Sequence, residues 1–449
     1  MDPDYFVPRG ALLLFAVGIV IFVVGLLVSI ALHEIGHMVP AKRFGVRVSQ
    51  YMVGFGPTLW SRTRGETEYG LKAIPLGGYV RLIGMYPTAE AVDAKPRAGR
   101  IAELVEAARE ASAAEIRPGE DNRAFYRLSA PKKLVVMLGG PVMNLVLAFV
   151  LLGIAFSGIG IVGVTTTVGA LSDCVAPSAA HECGPDDAAA PAKASGMQLG
   201  DTIVSFDGEV VTGWADLAER IRESGGRPVP VVVQRDGTDV TLELTPALVE
   251  RAVTGPDGAP ALDAAGEPVT AEVGFLGVTP TAELQPQPLT AIPPVFATAT
   301  WETVKVVFTL PVKLADVVRA TFGGGERDTS SVIGIVGVGR IAGEAASVPA
   351  DDVGMAERAA FLLSLLASLN LALFAFNLIP LVPLDGGHVV GALWEGAKRQ
   401  LARLRGLAPP RPADTARMAP LAYAVFVVLA GMGLLLIYAD LVRPVSLAG

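Results

Sequence analysis

Between Ala11 and Leu32 the chain carries no charged residue, and directly after that run come His33, Glu34 and His37. At about 1.5 Å of rise per residue, such a run can cross a hydrocarbon layer of roughly 30 Å as one helix. A chain with this opening is committed to a bilayer, and any polar group kept at that depth needs a reason. A carboxylate there costs roughly 2.5–3.5 kcal/mol on insertion scales, so Glu34 calls for a metal, a water pocket or a partner. On a helix, positions i and i+4 share one face, which lets His33 and His37 bind a single Zn²⁺. Glu34 is then placed to act as base on an attacking water. H-E-x-x-H also arises by chance in soluble helices; here the apolar run before it and a second motif far along the chain give it weight.

Three further uncharged runs are long enough to span: Leu134–Val164, Ala359–Leu384 and Met418–Ala439. With 51% hydrophobic and 18% charged residues and a mean hydropathy of +0.50, the chain is too apolar for a soluble protein of 449 residues. The expected class is a polytopic α-helical membrane protein with four transmembrane helices, a membrane-associated β region and one extracytoplasmic α+β domain. Basic residues gather between the first and second runs (Lys42, Arg43, Arg47, Lys132, Lys133) and between the third and fourth (Lys398, Arg399, Arg403, Arg405). Acids outnumber bases between the second and third. By the positive-inside rule both termini lie outside the cell membrane, and His33 and His37 lie toward its cytoplasmic side. A net charge of −8 and a pI near 5.2 argue against a nucleic-acid partner. The first run is too long for a signal-peptide h-region, so no cleavable leader is expected.

In chain order the expected parts are a first transmembrane helix over 11–38, the β region over 46–86 and a cytoplasmic connector over 87–133. A second transmembrane helix over 134–162 leads to the extracytoplasmic domain over 163–280. A membrane-surface amphipathic segment over 281–358 follows, with a fifth span over 289–322 as runner-up. The third transmembrane helix takes 359–394, a cytoplasmic loop 395–417 and the fourth helix 418–442. In the β region Val46–Tyr51 alternates, Gly54-Phe55-Gly56-Pro57 reads as a turn, and two short strands are expected at Thr67–Ile74 and Gly78–Ile83. An open β edge beside a metal-bearing helix end can take up an extended peptide, so Gly54, Gly56, Gly77 and Gly78 mark a candidate substrate-strand region. In the second run Asn144 follows Gly139-Gly140-Pro141 and is expected to make an interhelical hydrogen bond. Cys174 and Cys183 sit in an Ala/Pro/Asp-rich insertion; their spacing suits one disulfide outside the cell or two free thiols.

The third run ends Asn377-Leu378-Ile379-Pro380-Leu381-Val382-Pro383-Leu384-Asp385-Gly386-Gly387-His388. Irregular backbone at membrane depth survives only where it is buried in protein or lines a polar cavity. Asp385 therefore joins His33 and His37 as a candidate zinc ligand: two histidines and one carboxylate, with a fourth position open, make a catalytic zinc set. Asn377 and Asn370 are candidate donors to substrate backbone or to an oxyanion, with helix–helix hydrogen bonding as the alternative.

Two resemblances follow from these residues. Ser195-Gly196-Met197-Gln198-Leu199-Gly200-Asp201, Asp207-Gly208 and Val229–Gly237 resemble a PDZ domain, which implies a peptide ligand held by strand addition. His33–His37, Ile74–Val80, Gly140–Asn144 and Asn377–Gly387 together resemble the site-two protease family of intramembrane zinc metalloproteases, nearest to the PDZ-bearing regulator-of-sigma-E kind. That resemblance implies regulated intramembrane proteolysis: a single-pass membrane protein, typically an anti-sigma factor, is clipped outside and then cut within its transmembrane segment. A single PDZ domain and the cysteine-bearing insertion depart from the usual pattern. The competing class is a catalytically silent membrane scaffold that recruits partners through its PDZ domain.

Overall fold

The computed structural model describes residues 9–445 except 96–97, 176–182, 185–186, 253–269, 324–326, 328–330, 350–352 and 409. The chain divides into two compact units, one comprising 1–160 and 286–449 and the other Ile161–Gln285.

The larger unit is built on α1 (Arg9–Arg43), whose apolar run, H-E-x-x-H motif and terminal Lys42 and Arg43 form one continuous helix. A left-handed Gly45 ends it. The chain then enters a long hairpin, β1 (Val48–Arg64) and β2 (Thr67–Leu82), paired from Arg64↔Thr67 back to Val48↔Leu82. The two short strands expected over 67–83 are thus one strand, and the expected turn at Gly54–Pro57 lies inside β1. The register slips there instead, from Val53↔Gly78 to Phe55↔Ile74. Gly54, Gly56 and Gly77 have φ of 91°, 80° and 115°, the left-handed backbone that a bulge needs and that only glycine adopts freely.

Among its described residues the connector after the hairpin carries a short α2 (Ala89–Val92) and α3 (Arg100–Ala114). Arg109 of α3 is buried, donating to Pro87 O at 3.2 Å and to Asp414 Oδ1 at 3.0 Å. Next comes α4 (Ala130–Gly153), prolonged by a wider turn over Ile154–Ile159. After the second unit the chain returns in α7 (Ile292–Gly323) and α8 (Ile335–Ser347), where a single amphipathic segment over 281–358 was expected. The expected third span over 359–394 is two helices, α9 (Met355–Asn377) and α10 (Asp385–Leu404). Pro380 and Pro383 fall in the break, where neither interrupts a helical hydrogen bond. α11 (Ala419–Val442) completes the unit.

Among the described residues four helices are long and apolar enough to cross a membrane: Gly10–Arg43, Ala130–Ile159, Met355–Asn377 and Thr415–Val442. Their outward faces are apolar, with Leu12, Val20, Val24, Phe426, Val427 and Leu434 all exposed. That inverts a soluble protein's pattern and suits lipid contact. Below them Ala41, Val46, Val48, Leu82, Phe125 and Val136 form a buried cluster that fixes the end of α1 against the hairpin and α4.

The second unit holds β3 (Ile161–Leu171), α5 (Pro191–Ala194), β4 (Thr202–Phe206), β5 (Glu209–Val210), α6 (Trp214–Glu223), β6 (Val229–Arg235), β7 (Thr238–Leu244), β8 (Ala247–Ala252), β9 (Thr270–Phe275) and β10 (Val278–Gln285). Its main sheet runs β10-β3-β4-β6-β7, with β5 on β4, and β8 pairs with β9 apart from it. Alternate residues of β6 (Val229, Val231, Val233) face a core shared with Ile203, Phe206 and Leu217. Cys174 and Cys183 are joined by a disulfide. Residues 251–270, rich in Gly, Pro and Ala, read from sequence as a loop, and 253–269 of them lie outside the described residues.

Candidate active site

Two glycine contacts bring α4 against the lower end of α1. A Cβ at Gly36 or at Gly139 would collide with the other residue's carbonyl oxygen, and one at Gly140 would strike the ring of His37. Only glycine lets the backbones come this close, and the closeness puts α4 groups within reach of both histidines. Nδ1 of His37 donates to Val136 O at 2.7 Å, because a carbonyl can only accept. Nδ1 of His33 lies 3.0 Å from the side-chain amide nitrogen of Asn144, which is fully buried.

With both Nδ1 atoms engaged, the two Nε2 atoms face each other 3.2 Å apart. Asp385, the first residue of α10, brings its Oδ2 to 3.4 Å from His33 Nε2 and 3.3 Å from His37 Nε2. Gly386 and Gly387 make this possible, since a Cβ at either would collide with backbone of the break, including Leu378 O and Ile379 O. Lys133 of α4 reaches Glu395 of α10 at 2.7 Å, and Arg399 reaches the same carboxylate at 2.6 Å, so the helix that carries Asp385 is clamped by a buried ion pair.

The three atoms would suit zinc as a ligand set. Tetrahedral bonds of about 2.0–2.1 Å separate neighbouring ligand atoms by roughly 3.3–3.4 Å, which is the spacing seen here. Asp385 Oδ2 is buried without a hydrogen-bond partner, a costly state for a carboxylate that a cation relieves.

His33, Glu34, His37 and Asp385 line one cavity of about 860 Å³. Gly78 and Tyr79–Leu82 of β2 form one wall, α3 and the start of α11 another. Gly78 has room for no side chain: a Cβ there would press on Ile30, Met52 O and the Glu34 side chain. Asn377, at the end of α9, also borders the cavity, its amide donating to Leu373 O at 3.0 Å. Asn370 does not. It is buried between helices and donates to Ser29 Oγ at 2.9 Å and Leu366 O at 2.8 Å, so helix pairing replaces the substrate-contact reading. Gly54, Gly56 and Gly77 shape the hairpin away from the cavity lining. His388 borders the cavity as well. An interhelical bond is expected of Asn144 from sequence, but its partner His33 and the Val136 carbonyl at His37 are visible only in the packed structure, since no residue type signals a backbone acceptor. The Lys133–Glu395 clamp was foreshadowed only by a lysine at the foot of an apolar run.

Residues 21–408 match Peptidase family M50. Zinc metalloprotease Rip1 of Mycobacterium tuberculosis is 35% identical over 449 residues, covering 97% of this chain and all of that protein. Rip1 of Mycolicibacterium smegmatis has the same identity and coverage. Metalloprotease MmpA of Caulobacter vibrioides is 28% identical, covering 86% of this chain and 89% of its own. Since the family match runs through both halves of the motif pair and the likeness to Rip1 extends end to end, this chain belongs to peptidase family M50, the site-two proteases, and is a zinc metalloprotease of the membrane.

Proposed function

We propose that His33, His37 and Asp385 hold the Zn²⁺ and that the enzyme hydrolyses a peptide bond within the transmembrane segment of a single-pass membrane protein already clipped outside, of the anti-sigma-factor type. The observation that carries the reading is the meeting of two histidines from α1 and an aspartate from α10 at tetrahedral spacing, in a cavity walled by a β-strand.

What the ion supplies when bound is Lewis acidity, which lowers the pKa of water toward about 7 and polarises the scissile carbonyl. Glu34 takes the proton of the attacking water and passes it to the leaving amine nitrogen, acting as base and then acid. Asn377 turns its amide toward the oxyanion or the substrate backbone. A transmembrane helix hides its amides in its own hydrogen bonds, so it must be unwound before cleavage. Strand addition to the hairpin, at the β2 segment Gly78–Leu82, holds the extended form beside the metal. The glycines at 54, 56 and 77 set the bulges that bend the hairpin into that role.

The second unit is read as a PDZ-type domain that screens substrates or holds a peptide ligand. Its core sheet and the helix between β5 and β6 support that reading, and the bonded cysteine pair suits an extracytoplasmic location. With both termini outside the cell membrane, the metal lies toward the cytoplasmic side, at the end of α1 nearest Lys42 and Arg43.

The test is purified enzyme against a panel of single-pass substrates and soluble peptides, with and without a zinc chelator. The expected result is chelator-sensitive cleavage inside the apolar segment, lost in Glu34→Ala and in Asp385→Ala. Cleavage that persists in both variants overturns the site, and equal cleavage of soluble peptides overturns the intramembrane substrate.

A further inference from the structure

The proton positions on the two histidines are not equivalent. His37 is settled: its Nδ1 donates to Val136 O, so its Nε2 keeps a lone pair for the metal. His33 depends on Asn144. With the amide nitrogen of Asn144 3.0 Å from His33 Nδ1, the amide donates, and the neutral ring must carry its proton on Nε2. Nε2 is the atom that faces His37 and Asp385, so this orientation blocks a ligand. Turned by half a rotation, the same side chain presents Oδ1, which accepts from Nδ1–H and frees Nε2. The oxygen and nitrogen of an amide are nearly isosteric, so the packing accepts either orientation. In the first, Asn144 Oδ1 is buried without a partner. The choice therefore falls to the metal.

We propose that Asn144 is a positioning residue for zinc: with the ion bound, its Oδ1 accepts the Nδ1 proton of His33 and holds that ring with its Nε2 lone pair toward the ion. The proposal rests on the assignment of His33 as a ligand. The bond comes from a residue fully enclosed between helices, and the glycines at 36, 139 and 140 set its reach. An outer partner of this kind is commonly worth ten- to a hundred-fold in metal affinity, roughly.

The experiment uses full-length protein in detergent and measures Zn²⁺ affinity by chelator competition, alongside thermal stability of the zinc-free protein. Asn144→Leu, similar in size but without an acceptor, is expected to weaken zinc about ten- to a hundred-fold. Its zinc-free melting temperature stays near that of the wild type. Asn144→Asp, which keeps an acceptor, stays within a few-fold of wild type. Equal losses in both variants, or no loss in Asn144→Leu, overturn the proposal. His33→Ala separates the two layers: if it keeps wild-type zinc affinity the ligand assignment itself fails, whereas lost binding there with an unchanged Asn144→Leu sinks only the role of Asn144. Nitrogen-15 shifts of the wild-type histidines give a readout free of mutation. Zinc-loaded protein should show His33 protonated at Nδ1 and coordinated through Nε2, and coordination through Nδ1 overturns the proposal.

Discussion

Among single residues the sharpest division of labour is the one proposed between the three zinc ligands and Glu34. Glu34→Gln removes the proposed proton carrier and leaves the three proposed ligand atoms in place. It should lower cleavage by about 10²–10⁴-fold with zinc content unchanged by metal analysis. His37→Ala should lose both together. The glycines give a second prediction. Gly139→Leu drives a side chain into the Gly36 carbonyl, so it should push α1 and α4 apart, lower the melting temperature and reduce zinc content even though it replaces no proposed ligand. Wild-type zinc content in that variant would mean that close helix approach is not what assembles the site. His33, Glu34 and His37 were legible in sequence because helical periodicity alone puts the two rings on one face. Asn370 and Asn377 were not separable there, because the same residue at a helix end and in a helix interface has the same local chemistry. Only the packed structure shows Asn370 donating to Ser29 and Asn377 beside the cavity.

Elements show which parts of the chain resist reading by local pattern. The hairpin was anticipated as β structure, but its proline and glycines looked like strand breaks; paired across β1 they are bulges within one strand. The connector was equally opaque. Its Ala- and Glu-rich composition reads as a surface helix or a partly disordered connector, whereas α3 borders the cavity and buries Arg109 against Asp414. Removing Arg109 takes a buried partner from Asp414 but leaves it Arg417 at 2.8 Å, so the loss falls below the roughly 3–5 kcal/mol of a fully stranded buried charge. Arg109→Ala should therefore loosen α3 and lower thermal stability, and the Asp414→Ala, Arg109→Ala double variant should be less destabilised than the two single losses summed. Full additivity would show that the pair is not coupled. In the second unit Asp201 is buried and takes two bonds from Arg235, at 2.8 and 2.7 Å, and one from the Gln198 amide at 2.8 Å. The Arg235 bonds hold its carboxyl below its ordinary value of 3.8. A lowered folded-state pKa adds stability that is fully present above the unfolded value and fades as pH falls through it toward the folded value. The unit's melting temperature should thus drop below about pH 4, and Asp201→Asn should flatten that dependence while lowering stability at neutral pH.

For the whole molecule, the second unit enters and leaves through neighbouring strands: Ile161 pairs with Gln285 and Gly163 with Glu283. A domain inserted at adjacent ends can be removed without stretching its host. Replacing residues 163–283 by a short flexible linker should leave zinc content unchanged and keep cleavage of a pre-clipped substrate. Discrimination against the unclipped form should be lost if this unit is the filter. Loss of zinc in the excised protein would show that the membrane unit does not stand alone.

The sequence by itself determined the membrane residence, the helices apolar and long enough to span, and the chemical character of the candidate site. Each of these is written in local composition or in a spacing shorter than two helical turns. The α+β character of the inserted domain was readable for the same reason, from strands and turns that recur at short intervals. Tertiary structure alone decided that Asp385 reaches the two histidines, that the third apolar run breaks into α9 and α10, and that Val136 O and Asn144 stand behind the rings. Those outcomes depend on how closely helices far apart in sequence approach. That distance is fixed by glycines meeting across an interface, and no single stretch of chain encodes it.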